Sequence, residues 1–460
     1  MNIVFGQSQR SGVRKELTRH FEGLKSSQIV TASRQFQPIS RVDLQSSLEE
    51  FFGRVQGAKL VGMAVPQYHE TIPLAHLHSD PNHGVGIAPL QHDDVDVGDA
   101  TPVRCLKNGL WMAKVDGIPV AVLLSPSIKH GMTMGVHLEI ATPAGDEGAR
   151  VSDRFFREIE QSVQAGKTYR GRVLSLEAQH NFFGAGGTVK VHRLRTVKRE
   201  DVILPQRTLD LLERNTSGFA AVREGIKELR LSAKKGLLFY GPPGTGKTHT
   251  IHYLASQMPG HTTLLVTAEQ VAFVGEYFRL ARFLQPAIMV IEDVDLIARE
   301  RGGHAMMPGQ EALLNKLLNE MDGLREDADV IFILTTNRPD QLEPALASRP
   351  GRVDQAIEFP LPDEEGRAKL VALYAGGLVV PEDVRDLIVR RSKGVSAAFI
   401  KELMRRSAQF HLESGRGNGA LNEGAVNGAF EEMVFAGGAL NSRLLGGEAV
   451  ALDRARSDLN

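Results

Sequence analysis

Residues 236–248 read Gly236-Leu-Leu-Phe-Tyr240 and then Gly241-Pro-Pro-Gly-Thr-Gly-Lys-Thr248, and this stretch decides the fold. The first five residues form an apolar strand. The next eight fit G-x-x-x-x-G-K-[ST], and His249–Gln257 continues with helical spacing. Strand, glycine turn and helix in that order make a phosphate cradle. Gly244 and Gly246 let the backbone curl until several N–H groups point inward. The helix N-terminus adds partial positive charge. Lys247 supplies a point charge for β- and γ-phosphates, and the Thr248 hydroxyl suits Mg²⁺. Nucleotide contacts are expected from Gly241, Pro242, Pro243, Gly244, Thr245, Gly246, Lys247, Thr248 and His249. ATP and Mg²⁺ are the expected cofactors.

Outward from this point, apolar runs alternate with helical stretches. Thr263–Thr267, Ala287–Ile291 and Val330–Thr335 are near-continuous apolar strands. Such runs separated by helices predict parallel strands buried on both faces. Ala287–Ile291 ends in Glu292-Asp293-Val294-Asp295. A phosphate-loop enzyme needs one carboxylate near Mg²⁺ and another to polarise water. Two acids at a strand tip meet that need; without the upstream loop they would read equally well as a solvated strand end. From Asp363 to about Phe435 the chain reads as helical, and Ala436–Asn460 is Gly-rich and polar.

Over roughly residues 205–412 the sequence resembles an AAA+ ATPase of the FtsH-like and proteasomal branch. Gly241–Thr248 looks like that family's Walker A motif and Ile288–Asp295 like its Walker B. Phe332-Ile-Leu-Thr-Thr-Asn337 looks like sensor 1, which implies that Asn337 orients the lytic water. Ser348-Arg-Pro-Gly-Arg-Val-Asp354 looks like the arginine-finger segment, so Arg349 and Arg352 would reach the γ-phosphate of a neighbouring subunit. Gly394-Val-Ser396 resembles the helical-subdomain motif near base and ribose. The family usually writes Asp-Glu where this chain has Glu292-Asp293. By position Glu292 would serve Mg²⁺ together with Thr248, and Asp293 would hold the water. Asp is one methylene shorter than Glu, so slow turnover is one expected consequence. Phe273-Val274-Gly275 matches the family's aromatic pore loop, which grips an extended polypeptide; the alternative is that Phe273 is a core residue. Arg301-Gly-Gly-His-Ala305 could form a second pore-facing loop. A finger given to a neighbour's site makes a head-to-tail interface that closes into a ring. The resemblance implies a homo-oligomeric, hexameric ring with a protein client.

The remainder bounds the alternatives. The chain has 460 residues, 42% hydrophobic and 24% charged, as in ordinary globular proteins. Lys plus Arg number 54 against 55 acids, so a dedicated nucleic-acid binder is disfavoured. Cys105 is the one cysteine, which fits a reducing, cytoplasmic setting. No apolar run approaches the ~20 residues that cross a bilayer, so no membrane partner is expected. Residues 1–103 read as irregular and helical, acidic and His-rich from 60, with Asp43 as a helix N-cap. Residues 104–200 read as a small α+β domain with an Asp116-Gly117 hairpin and a helix capped by Ser152. His76, His78 and Asp80 could suggest a metal, but no helix fixes two ligands on one face, and a solvated acidic loop is the preferred reading. The fold class expected is α/β. A P-loop parallel sheet at 201–362 carries a helical subdomain at 363–435 and a tail at 436–460, and an α+β N-terminal region precedes it. The function expected is an ATP-hydrolysing ring that unfolds, threads or remodels proteins. A DNA- or RNA-associated motor and a nucleotide-gated scaffold with slow turnover are the alternatives.

Overall fold

The computed structural model describes residues 12–64, 71, 73–79, 85–129, 132–181, 184–267, 270, 273–298, 316–317, 319–325, 328–340, 353–414 and 419–436. The chain divides into two compact units, 1–170 with 179–191 and 171–178 with 192–460.

The first unit holds α1 (Gly12–His20), β1 (Ile29–Phe36), α2 (Arg41–Gly53), β2 (Lys59–Ala64), α3 (Leu74–Ser79) and β3 (Gly86–Ala88). It continues with β4 (His92–Val95), β5 (Val103–Leu106), β6 (Gly109–Val115), β7 (Ile118–Lys129), β8 (Met132–Pro143) and α4 (Asp146–Ala165). Six strands form one sheet in the order β1-β8-β7-β6-β2-β3. No boundary falls at residue 103, because β1 and β2 pair with β8 and β6 from beyond it. The expected irregular region and small domain are therefore one body.

Sheet alternation explains the layering. Leu110, Met112, Ala121, Leu123 and Ala141 cluster with Val13 and Leu17 of α1 and Leu74 and Leu77 of α3. On the opposite face Trp111 stacks on Phe52 of α2, and Phe155 of α4 packs against Phe51 and Phe52. Asp116 (φ 49°) and Gly117 (φ 81°) form the two-residue turn between β6 and β7. Two expected caps are corrected. Ser40 precedes α2, and Asp43 instead accepts a hydrogen bond from the Thr168 hydroxyl (2.6 Å). Gly145 precedes α4, which leaves Ser152 buried mid-helix.

The second unit takes up the first residues of β9 (Val173–Asn181), which β10 (Gly184–His192) follows. Next come α5 (Gln206–Asn215), α6 (Ser217–Glu228), β11 (Lys235–Tyr240), α7 (Lys247–Gln257), β12 (Thr262–Val266) and α8 (Val274–Phe283). Then follow β13 (Ala287–Ile291), α9 (Val294–Ala298), β14 (Val330–Thr336) and β15 (Gln355–Glu358). Strands β12, β13, β14, β11 and β15 pair in that order, all parallel. Every residue of β13 and β14 is buried, as a sheet covered on both faces requires. The sheet also takes in strands that were not anticipated in it, β15 and β9 among them. β15 is a short run without strong apolar character. β9 pairs parallel with β12 through Val173↔Thr263 and Leu174↔Leu264, so this strand begins in the second unit and not in a 104–200 domain.

Four helices end the described chain: α10 (Glu364–Ala375), α11 (Glu382–Arg391), α12 (Ala397–Glu413) and α13 (Glu423–Glu431). Asp363, Ser396 and Asn422 cap α10, α12 and α13 with side-chain oxygens. Leu370, Ile388, Phe399, Leu403, Val426 and Phe430 build their shared core. No described helix is long and apolar enough to cross a membrane.

Trp111 is the one tryptophan and is 4% exposed, so its emission reports on the first unit alone. Phe155→Ala is expected to cost that unit about 3–5 kcal/mol. Urea unfolding followed by Trp111 fluorescence checks it through a lowered midpoint.

Candidate active site

The site forms where β11, β13 and β14 end. Apolar strands buried on both faces admit polar groups only at their tips, so that is where the chemistry collects. β11 stops at Tyr240, and the loop turns through Gly241, Pro242, Pro243, Gly244, Thr245 and Gly246 into α7. Gly246 sits at the helix N-cap with φ 100°, a left-handed conformation that side chains resist. Gly244 has φ 75° and a second constraint. A Cβ there would meet the Ser396 hydroxyl at 2.8 Å and the Ala398 methyl at 2.9 Å. The Ala398 N–H donates to the Gly244 carbonyl (3.1 Å). The helical subdomain thus rests on the loop through the first turn of α12.

Lys247 opens α7 and is 7% exposed. Its Nζ donates to the carbonyls of Gly241 (2.8 Å) and Pro242 (2.9 Å). Burial pushes this ammonium down to about 8, against the pull of the Asp293 and Asp295 carboxylates. The Thr245 hydroxyl donates to the Pro242 carbonyl (2.9 Å), which tightens the same turn. His249 contacts the Asp201 carbonyl through Nε2 (3.2 Å).

The acidic tip faces this loop. Thr248 Oγ1 donates to Glu292 Oε1 (2.8 Å). Asn337 Nδ2 donates to Asp293 Oδ1 (3.1 Å). Asp293 has φ 49°, and its N–H donates to Thr335 Oγ1 (3.0 Å). A non-glycine residue in this region stores strain that its surroundings must hold, and such strain concentrates at functional sites. A hydroxyl and a carboxylate from Thr248 and Glu292 are hard oxygen donors, the type that Mg²⁺ takes. The donor set therefore fits that ion.

One residue given no role from the sequence is central here. Asp295, 3% exposed, accepts from Thr336 Oγ1 (2.9 Å) and from the Asn337 N–H (3.2 Å) through Oδ1. It holds the β14 tip, and so holds the amide that touches Asp293. The available signal was the run Thr335-Thr336-Asn337, whose polar groups at the end of a buried strand need a buried acceptor.

From the sequence, Phe273 and Val274 read as part of a pore loop, with a core residue as the alternative for Phe273. Phe273 is 8% exposed and Val274 fully buried, at the start of α8. Gly275 follows within the helix. The described conformation fits the packing role of this ring. Arg349, Arg352 and the 301–305 stretch lie outside the described residues, as does Asp80. His78 Nδ1 lies 2.8 Å from Ser26 Oγ.

Residues 237–361 match the family described as "ATPase family associated with various cellular activities (AAA)". The chain is 34% identical over 204 residues to the proteasome-activating nucleotidase of Methanothermobacter thermautotrophicus, covering 42% of this chain and 50% of that protein. It is 34% identical over 206 residues to the 26S proteasome regulatory subunit 10B of Dictyostelium discoideum, covering 42% and 51%. It is 32% identical over 258 residues to the ATP-dependent zinc metalloprotease FtsH of Hahella chejuensis, covering 51% and 41%. The chain spans about half the length of these relatives or less.

Two outcomes are expected. Lys247 needs its proton to hold phosphate, and the free protein loses it above about pH 8. ATP affinity stays flat below that pH and weakens by up to about tenfold per unit above it. Calorimetry from about pH 7 to about pH 9.5 reads this, and a constant affinity would exclude the depressed lysine. Asp295→Ala removes a charged acceptor worth about 1.5–3 kcal/mol per bond, so kcat falls about ten- to a hundredfold with the ATP Kd nearly unchanged. Steady-state kinetics beside nucleotide titration separates the two effects.

Loop, acids and sensor strand thus stand in one constellation, inside the segment that matches the AAA ATPase family, and the proteins similar to this chain include proteasomal ATPases and FtsH.

Proposed function

We propose that this chain assembles into a ring, expected to be hexameric, that spends ATP on unfolding or remodelling proteins, with residues 1–200 selecting the client. The observation that carries this reading is the meeting of Lys247, Thr248, Glu292, Asp293 and Asn337 at one end of the parallel sheet. The names of the relatives support the rest, since proteasome-linked ATPases and an ATP-dependent protease both handle proteins.

The residues then divide the work. Lys247 leaves the Gly241 and Pro242 carbonyls for the β- and γ-phosphates, and the glycine turn offers its N–H groups to the same oxygens. Thr248 and Glu292 would hold Mg²⁺, which when bound would supply charge neutralisation for the phosphates. Asp293 accepts a proton from the attacking water while the bond to the β,γ-bridging oxygen breaks. Asn337 fixes the carboxylate's direction, and Asp295 fixes Asn337. Arg349 and Arg352 act on the neighbouring subunit's phosphate. Changes at the loop reach the helical subdomain through Gly244 and Ala398. Gripping by Phe273 requires the first turn of α8 to open, since the ring is buried.

A second reading keeps weight from one observation. The Asp293 side chain is shorter than the usual glutamate and sits at a strained φ. A nucleotide-gated scaffold with slow turnover would use the same contacts.

Asp293→Asn tests both. The variant is expected to bind ATP with wild-type affinity while turnover falls at least about a hundredfold. Wild-type turnover is expected to rise with unfolded casein. A Glu292→Gln variant that traps ATP beside an active Asp293→Asn would exchange the two roles. Stimulation by DNA and not by casein would overturn the protein-remodelling reading, and negligible turnover with ATP-dependent assembly would establish the scaffold.

A further inference from the structure

The sheet of the first unit has two unlike edges. β3 is three residues long and lies against α1. Val13 N–H donates to the Val85 carbonyl (3.3 Å), and a Cβ at Gly12 would meet Ile87 at 2.9 Å. β1 is eight residues long, and among the described residues no strand pairs with its outer side.

Open edges are normally blunted by a bulge, a proline, a free lysine or a covering element. β1 has none of these among the described residues. Its register runs unbroken from Ile29↔Pro143 to Phe36↔Val136. Its one charged side chain, Arg34, is turned back onto Glu160 (2.9 Å) and lies 4.8 Å over the Phe156 ring.

The hydrogen-bond phase identifies the outward groups. Ala144 N–H donates to the Gln28 carbonyl (2.8 Å), one step before Ile29↔Pro143. Bonded and non-bonded pairs alternate in an antiparallel ladder. Val30, Ala32, Arg34 and Phe36 therefore bond to β8, and Thr31, Ser33 and Gln35 direct N–H and C=O outward. Two contacts agree with this phase. Ile29 N–H donates to the Ser26 carbonyl, not to β8, and the Ser33 carbonyl accepts from Arg34 Nη1 (3.0 Å). Ser33 and Gln35 are exposed, and Thr31 is half-buried.

We propose that β1 captures an extended segment of a protein client by strand addition; this rests on the protein-remodelling reading above. Thr31, Ser33 and Gln35 are polar, Ile29, Ala32 and Phe36 are half-buried, and Val30 alone among the apolar residues of β1 is exposed, at 55%, so the edge offers a folded partner little apolar burial. A stable folded partner, including a second copy, needs about 1,200–2,000 Å². An unfolded main chain needs only the ladder, and it is recognised whatever its side chains. Weak, sequence-tolerant capture suits a client that has lost its structure.

The test uses the full chain with ATP and unfolded casein as the probe. Amide exchange at Thr31, Ser33 and Gln35 is expected to slow at least about tenfold when casein is added. Ser33→Pro removes one outward N–H and leaves the bonds to β8 intact, since proline is tolerated on the open side of an edge strand. Casein affinity should fall at least about tenfold while basal ATPase stays unchanged. Unprotected amides, or wild-type casein binding by Ser33→Pro, would overturn strand addition. Protection that appears without casein and grows with protein concentration assigns the edge to a second copy and also overturns it. The exchange measurement needs no variant, so a misfolded Ser33→Pro leaves the test standing. Casein stimulation of the wild-type ATPase is read in parallel. Stimulation without protection removes strand addition alone. Protection without stimulation supports strand addition and removes the remodelling reading.

Discussion

A parallel sheet buried on both faces has nowhere to keep a charge except at the ends of its strands. β13 and β14 obey this without exception, since each of their residues is buried. Glu292, Asp293 and Asn337 stand where that rule releases them. Lys247 is the other side of the same constraint. It is a cation drawn into a poorly solvated turn and held by two carbonyls until a stronger anion is offered. Burial costs the free lysine part of its basicity, and an anion placed beside it favours the charged form again.

Network order follows from polar satisfaction. Asp295 is buried and negative, so it must be bonded. Its two donors, Thr336 Oγ1 and Asn337 N–H, come from a different strand and lock β14 to the start of α9. That lock aims Asn337 at Asp293. The helical subdomain is tied to the phosphate turn by the backbone bond from Ala398 to Gly244, so the turn and the first turn of α12 are in direct contact.

Much of this was legible in the sequence, and the reason is local. The turn at Gly241–Thr248 carries its own chemistry in consecutive residues, and the acids at Glu292–Asp295 follow an unmistakable apolar run. The hairpin at Asp116-Gly117 was equally readable, because a two-residue turn with positive φ restricts residue choice sharply. What escaped depended on distance. β1 carries Thr31, Ser33, Arg34 and Gln35, too polar to look like a strand until β8 pairs with it. Asp43 looked like a cap because caps are judged from neighbours in sequence, but Thr168 claims its carboxylate from far along the chain. Phe273 matched an exposed motif by pattern, and only packing shows that its ring is buried.

The pairing of β9 with β12 has a practical side. Val173 and Leu174 shield the outer edge of β12, and the Tyr277 hydroxyl accepts a hydrogen bond from the Leu176 N–H (2.7 Å) and donates one to Gln270 Oε1 (2.9 Å). A fragment trimmed to the family-matched segment, or begun at residue 201, would strip that strand away. It would leave β12 as a raw template for self-association and a fully buried phenol short of a partner. The shortest piece with intact solubility should start no later than Gly171, so the ATPase half carries its own protective hem from upstream of the segment that names it.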